Sequence, residues 1–247
     1  MAIIKDFGVV LREYAAGESN KKLVLLTRRH GKISAFARGS QRVGSKLATS
    51  LFCYNEFVIF DGGSFLSLNQ VLPIHTFGKI ADDYDKYCFC CCFLELADKM
   101  LLTGMETGEA LQILLRAFAE MEHGRLPANL IFAGFVFKFL QKEGLAPIVN
   151  MCAACEGELI EDCWFYDEGL FCDVCATSPG KVTPQHIGLS AQAVLALQYI
   201  LDADVKRMFA FKVSEGVASQ LYAAAGLFLS KNVDVELKSL KTLTGIR

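Results

Sequence analysis

The chain has 247 residues and a formal net charge of −2; 53% of its residues are hydrophobic and only five are proline. This composition excludes a disordered or fibrous chain and supplies enough apolar residues for two or three small modules. Charged side chains interrupt every apolar run before the roughly 18 residues that a membrane-spanning helix needs. Lys5 and Asp6 precede any apolar run of a secretory signal. We therefore expect a soluble, cytoplasmic protein with reduced cysteines.

The first part of the chain predicts a small β-barrel. Short runs rich in β-branched and aromatic residues alternate with turn signals, and these runs are Ile3–Tyr14, Lys22–Thr27, Lys32–Arg38, Leu51–Phe60 and Phe65–Leu72. Arg29-His30-Gly31 and Asp61-Gly62-Gly63-Ser64 read as tight hairpin turns. Five short strands close most economically as a barrel of the oligonucleotide-binding (OB) type, because closure removes exposed edges. A generic β-meander is the alternative.

The same region carries a one-sided charge pattern. Between Ser19 and Asn55 there is no acidic residue, and the basic residues are Lys21, Lys22, Arg28, Arg29, Lys32, Arg38, Arg42 and Lys46. Alternation along the third strand puts Phe36 on one face with Lys32 and Arg38. A ring available for base stacking among cations favours nucleic-acid binding. A solvated face with Phe36 in the barrel core is the alternative.

From Lys79 onward the periodicity predicts helices. Asp82, Asp83 and Asp85 open the first one, where acids suit the positive end of the helix dipole. A magnesium site built from the same acids, as in a nuclease, is the alternative. The following thiols point in different directions on a helix and are assigned to the core; they are Cys88, Cys90, Cys91 and Cys92.

Further helices are predicted at about Thr107–Glu122 and Ala128–Glu143. Ser190 and Ser214 are suitable N-caps for two more helices, which run to about Leu201 and Leu229.

Two C-x-x-C pairs form the strongest motif. They are Cys152/Cys155 and Cys172/Cys175, and a hairpin-length segment with a turn at Asp167-Glu168-Gly169 separates them. Four thiolates in a tetrahedral cage leave no open position for a substrate, so we predict one structural zinc ion. Iron with the same ligands, disulfides or reduced core cysteines are the alternatives. Cys163 lies outside both pairs and is assigned to packing.

Catalytic motifs are absent from the sequence. The four histidines are scattered, and there is no phosphate loop, nucleophile elbow, H-E-x-x-H or dinucleotide-binding fingerprint. We therefore predict no catalytic residue, and a binding protein rather than an enzyme. The expected fold is α+β and multidomain: an OB barrel at 1–78, an α-helical domain at 79–247, and a zinc-ribbon insert at 148–178.

Several short motifs, in this order, carry a family resemblance. They are Gly17-Glu18-Ser19, Leu26-Thr27-Arg28-Arg29-His30-Gly31-Lys32-Ile33-Ser34, Ala37-Arg38-Gly39-Ser40, Gly144-Leu145-Ala146-Pro147 and Leu237-Lys238-Ser239-Leu240. With the barrel and the four-cysteine motif, the chain resembles the RecO family of bacterial recombination mediators, essentially from end to end.

The resemblance implies a function in DNA repair by homologous recombination. RecO-like proteins bind single- and double-stranded DNA, anneal complementary strands, and work with RecR to replace single-strand-binding protein by RecA. It implies DNA contact by the barrel cations and Phe36, a nucleoid-associated location, and an acidic-tail site for single-strand-binding protein in the helical domain. Basic residues that could rim this site are Lys138, Lys142, Lys206 and Arg207. An RNA-binding translation or transcription factor and a metal-dependent nuclease are the alternative functions.

Overall fold

The structure is a computed structural model that describes residues 2–41, 45, 47, 49–105, 107–159, 162–178, 185–234 and 237–240. It divides into two compact units. The first comprises Met1–Glu122 with Leu237–Arg247, and the second comprises His123–Glu236, over the described residues. Compact units need not coincide with domains, so the domain limits expected from the sequence stay a prediction.

The first unit contains a closed five-stranded barrel. Its strands are β1 (Ala2–Ala15), β2 (Lys21–Thr27), β3 (Gly31–Ala37), β4 (Cys53–Asp61) and β5 (Leu66–Thr76). They pair in the order β1-β2-β3-β5-β4, and β4 closes the barrel against β1. All neighbours are antiparallel except β3 and β5, which pair in parallel through Ala35 and Phe36. The predicted OB-type barrel is therefore confirmed, and the meander is excluded.

Alternating burial separates the two faces of the barrel wall. Leu23, Leu25, Ile33 and Ala35 point into the core with Phe57. In β3 the intervening residues face outward, and Phe36 remains 41% exposed. The expected face of Lys32, Phe36 and Arg38 is thus present, and Phe36 is not a core residue.

Two helices follow the barrel within the first unit. They are α1 (Tyr84–Met100) and α2 (Gly108–His123), preceded by a short 3-10 turn at Gly78–Ile80. Asp83 caps α1, since its side chain accepts a hydrogen bond from the backbone N–H of Lys86 at 3.1 Å. Phe118 on α2 packs edge-on against Phe52, with ring centroids 5.4 Å apart.

The second unit combines helices with a small sheet. Its longer helices are α3 (Ala128–Lys142), α5 (Ala191–Asp202) and α6 (Glu215–Asn232), with a short helix α4 (Asp173–Ala176). Strands β6 (Cys163–Phe165), β7 (Leu170–Phe171) and β8 (Ile187–Leu189) pair in the order β7-β6-β8. Ser190 and Ser214 cap α5 and α6 through their hydroxyl groups, as predicted. The third strand lies beyond the segment that the sequence assigns to the ribbon.

Helix α3 is apolar on all sides and is almost entirely buried. Lys138, one of its two lysines, is only 3% exposed and donates a 2.7 Å hydrogen bond to the carbonyl of Leu201. Lys138 therefore cannot rim a surface site, and that expectation was wrong. Among the described residues, no helix is both long and apolar enough to cross a membrane.

Candidate metal centre and nucleic-acid interface

The four cysteines of the two pairs meet at one point. The sulfur atoms of Cys152, Cys155, Cys172 and Cys175 all lie within 4.8 Å of one another. Among the described residues, this is the one group of three or more potential ligands close enough to hold a metal ion. Four thiolates at this spacing suit a closed tetrahedral site of the kind that zinc favours. The residues therefore fit a structural metal ion.

Local turns bring each pair together. In the first knuckle the backbone N–H of Glu156 donates to the carbonyl of Cys152 at 2.9 Å, and Glu156 adopts a positive φ of 58°. In the second knuckle Cys172 is the N-cap of α4, which carries Cys175. The backbone N–H of Cys172 also donates to the sulfur of Cys152 at 3.3 Å. This hydrogen bond joins the two knuckles through protein atoms alone.

The protonation of the thiols shows what a cation would contribute. Burial by itself would raise the pKa of Cys152, but donation from the N–H groups of Cys172, Ala154 and Cys155 lowers that pKa to about 6. Hydrogen bonding to the sulfurs of Cys155 and Cys172 raises the pKa of Cys175 to about 12. The hydrogen bonds thus favour the thiolate form of Cys152 and oppose the thiolate form of Cys175. A bound divalent cation would stabilise all four thiolates together.

The ribbon is fixed to the helices of the second unit. Phe165 of β6 packs against Phe137 of α3 and Phe228 of α6, with centroid distances of 5.7 and 6.1 Å. Gly169 ends the β6–β7 turn with a φ of 143°, and a Cβ there would lie 2.2 Å from the carbonyl oxygen of Ile148. Only glycine permits this approach. Loss of the cage would therefore disturb the helical core as well as the ribbon.

The remaining cysteines have other roles. Cys163 is 2% exposed in β6, and burial raises the pKa of its thiol. Burial likewise raises the pKa of Cys90, Cys91 and Cys92 on α1. Thiols of this kind are poor metal ligands and poor nucleophiles at neutral pH.

The outer face of the barrel groups aromatic rings with cations. Tyr14 pairs with Lys22, and Lys22 pairs with Phe36, so the three exposed side chains form a row across β1, β2 and β3. Phe36 meets Phe65 edge-on with centroids 6.5 Å apart. The guanidinium carbon of Arg38 lies 5.8 Å from the centre of the Phe65 ring. Flat rings beside cations can stack bases and neutralise phosphates.

A second cationic group lies at the other end of the β2–β3 hairpin. Arg28 and Arg29 are exposed in the turn, and buried Asp6 fixes the backbone beneath them. The N–H groups of Arg29 and His30 donate to the Asp6 carboxylate at 3.1 and 3.2 Å, and the His30 ring approaches it at 2.6 Å. Burial opposes ionisation of Asp6, but the hydrogen bonds from His30, Phe7 and Arg29 hold its pKa below the ordinary value.

The other predicted contact residues differ in accessibility. Lys21 forms a 2.5 Å ion pair with Glu13. Lys32 is 15% exposed at its side chain, pairs with Asp98 at 3.2 Å, and donates to the carbonyls of Asp98 and Leu101. An ammonium group with these acceptors has little surface left for a phosphate. Arg42 and Lys46 lie outside the described residues.

Sequence reasoning missed Tyr14 and Phe65. Phe65 precedes β5, and only the parallel closure of β3 against β5 brings it to Phe36. No local periodicity signals that pairing. Alternation along β1 from buried Val10 would place Tyr14 on the core face. A bulge between Val10 and Arg12 shifts the register and turns Tyr14 outward beside Lys22, so local periodicity misplaces it.

Among the described residues, the acids at the start of α1 do not form a group that could hold a metal ion. Asp83 is engaged as the N-cap of the helix, while Asp82 and Asp85 are exposed beside it. This arrangement fits the helix-dipole interpretation.

Comparison with known proteins covers the whole chain. The family model described as "Recombination protein O N terminal" matches residues 1–77, and "Recombination protein O C terminal" matches residues 81–241. A "DNA repair protein RecO" from Acetivibrio thermocellus is 26% identical, with full coverage of both chains. Proteins with the same name from Symbiobacterium thermophilum (28% identical, 100% of this chain and 99% of the relative) and Alkaliphilus metalliredigens (26%, 97% and 98%) are also similar. The chain therefore belongs to the recombination protein O (RecO) family of DNA repair proteins.

Proposed function

We propose that this protein is a recombination mediator that binds single- and double-stranded DNA, anneals complementary strands, and with RecR helps to load RecA onto DNA coated by single-strand-binding protein. Membership of the RecO family supports the repair role. The observation that carries the proposal is the outer face of the β2–β3 hairpin, where Phe36 and Phe65 lie exposed beside Arg38 and Lys22.

The DNA contacts would follow the length of β3. Arg28 and Arg29 would bind phosphates at the turn, and Lys22 and Arg38 would do so near Phe36. Gly31 and Phe36 are five residues apart, a span of roughly 17 Å along a strand. Such a span accommodates several nucleotides, in the range of an OB-fold site. The predicted contacts of Lys21, Lys32, Arg42 and Lys46 belong to the same proposal, and Lys32 is less accessible than Lys21.

Annealing on this surface needs no bond chemistry and no catalytic residue. Cations lower the repulsion between two phosphate backbones, and stacking on Phe36 or Phe65 tolerates any base sequence. Contacts to phosphate and ring faces leave the pairing edges of the bases accessible. The bound strand can therefore still be recognised by its complement.

The four-cysteine cage would hold one zinc ion. When bound, zinc supplies folding energy to the ribbon and no chemistry to DNA. Cys152, Cys155, Cys172 and Cys175 would be its ligands, and Phe165 would transmit the rigidity of the ribbon to α3 and α6.

The acidic tail of single-strand-binding protein would bind the second unit. A groove of about 530 Å³ between α5 and the start of α6 has an apolar wall that includes Leu195, Tyr199, Phe211 and Val217. Exposed Lys212 lies at the groove, and Lys206 and Arg207 lie just before it in sequence. An acidic peptide with apolar side chains matches this combination. Lys142 is exposed on α3 but does not line the groove.

A strand-annealing assay tests the proposal. Two complementary oligonucleotides with a fluorophore and a quencher are mixed with the protein, and quenching is followed in time. We expect faster annealing with DNA and no cleavage of either strand in magnesium. Tight binding without annealing, or preference for RNA over DNA of the same sequence, would contradict the mediator function.

A further inference from the structure

The loop between α1 and α2 has an unusual surface. Leu102-Thr103-Gly104-Met105 contains no charged side chain, and all four residues are exposed. Leu102 is 67% exposed and Met105 is 57% exposed. A single exposed leucine is ordinary in a soluble protein. Two exposed apolar side chains in this four-residue segment, which Glu106 follows in the sequence, suggest a contact surface.

This loop is fixed to the barrel. Thr103 forms a parallel bridge with Lys32, and the N–H of Gly104 donates to the carbonyl of Lys32 at 3.0 Å. Gly31 has a φ of 62°, and a Cβ on it would lie 1.8 Å from the carbonyl oxygen of Met105. The glycine thus allows the loop backbone to press directly against the start of β3.

The turn immediately before Gly31 carries Arg28 and Arg29. Asp6 holds the backbone of this turn through the N–H groups of Arg29 and His30. Gly108, at the other end of the loop, also lies close to this turn. A Cβ on Gly108 would be 3.8 Å from the carbonyl oxygen of Arg28. The apolar loop and the two exposed arginines are therefore neighbours at one end of the barrel, and both are held by backbone contacts.

A partner for this surface must offer negative charge and flat apolar faces together. An unpaired DNA strand offers phosphates and base faces, and apolar side chains that insert between bases are a known means of holding them apart. An anionic membrane also combines charge with apolar groups. Exposed Phe36 at the other end of β3 favours nucleic acid, because a stacking ring extends the same strand.

We propose that Leu102 and Met105 form an apolar wedge that packs against unstacked bases of the strand whose phosphates bind Arg28 and Arg29. The inference rests on the proposed DNA-binding function and adds a base-contacting element outside the barrel. The wedge holds bases apart at the hairpin turn, which prevents intrastrand stacking while a complementary strand is sampled.

The test compares binding to two single strands of equal length and charge, one with normal bases and one made entirely of abasic sites. The variant is Leu102→Ala with Met105→Ala, and the control is Ile148→Ala, an exposed apolar residue in the second unit. We expect the double variant to bind the normal strand at least tenfold more weakly, because lost contact equivalent to only two buried methylene groups, at a factor of about four each, already gives about sixteenfold. Its affinity for the abasic strand and its unfolding temperature stay unchanged. A 2-aminopurine in the normal strand brightens less on binding the variant than on binding the parent protein.

Equal affinity of variant and parent for the normal strand would overturn the wedge, as would an equal loss on both strands. A parent protein that binds neither strand would refute the proposed function, and the wedge with it. Loss of binding to phosphatidylglycerol vesicles with DNA binding intact would assign the loop to a lipid surface and overturn the inference.

Discussion

The salt dependence of DNA binding gives a quantitative test of the barrel surface. The change is Arg28→Ala, Arg29→Ala and Arg38→Ala in one variant. All three side chains are exposed, and the turn backbone is held by Asp6 rather than by the guanidinium groups, so the fold is expected to persist. The variant therefore removes phosphate contacts without removing packing.

The expected magnitude follows from counterion release. Each phosphate contact on a single strand contributes about −0.7 to the slope of log K against log salt concentration, so three lost contacts reduce the slope by about 2.1. In the parent protein, the four proposed contacts of Lys22, Arg28, Arg29 and Arg38 give a loss of affinity of roughly fiftyfold between 50 and 200 mM salt. In the variant, only Lys22 of these remains, and its one contact gives a loss of roughly threefold. Arg42 and Lys46 contribute equally to both proteins, so the difference in slope is the prediction.

Fluorescence anisotropy of a labelled oligonucleotide at several salt concentrations measures both slopes. The matched control is Lys206→Ala, Arg207→Ala and Lys231→Ala, which removes the same charge from exposed positions in the second unit. We expect the control to keep the parental slope. Equal reductions in both variants would show that net charge, and not the barrel surface, sets the affinity, and the reasoning would be refuted.

Three further predictions concern stacking, the metal cage and pH. Phe36→Ala weakens single-strand binding by about 1–3 kcal/mol, the usual contribution of one stacked base. The control Tyr84→Ala, which removes an exposed ring on α1, leaves the affinity measured by titration with the oligonucleotide unchanged. Equal losses in both variants would argue against stacking. Cys172→Ser releases the metal, measured with a colorimetric chelator, and lowers the unfolding temperature. The control Val174→Ala, at an exposed position between two ligands, does neither. A Cys172→Ser protein that lacks metal but is equally stable would show that the cage is dispensable. The depressed pKa of Asp6 stabilises the fold above the ordinary carboxyl pKa, and this contribution is lost as pH falls through the lowered value. Urea unfolding should therefore show Asp6→Asn less stable than the parent at pH 7, with a gap that narrows below about pH 4; a constant gap would contradict this assignment.

Local sequence signals predicted most of the fold. Alternation and turn residues located the barrel strands, and the N-caps Ser190 and Ser214 located α5 and α6, because these features depend on neighbours in the chain. The C-x-x-C spacing correctly predicted which four thiols lie together, because each pair is also formed by near neighbours in the chain. The extension of β5 to Thr76, four residues beyond the prediction, was missed. Pro73 interrupts the run there, but pairing with β4 continues past it.

Features that depend on tertiary contacts were not predictable in the same way. The position of Phe65 beside Phe36 requires closure of the barrel, and the engagement of Lys32 requires the end of α1 to lie against β3. Lys138 looked like a surface cation in a helix, yet α3 is buried on every side. A charge count along the chain cannot distinguish a cation that binds a backbone carbonyl from one that faces solvent.

Annealing on coated DNA tests the mediator function most directly. One of two complementary oligonucleotides is covered with the cognate single-strand-binding protein, either intact or without its acidic tail, and annealing is followed by fluorescence quenching. The proposed function predicts rapid annealing with the intact coat and a marked loss when the tail is removed. Annealing that is equally fast without the tail, or absent in both cases despite tight DNA binding, would contradict it.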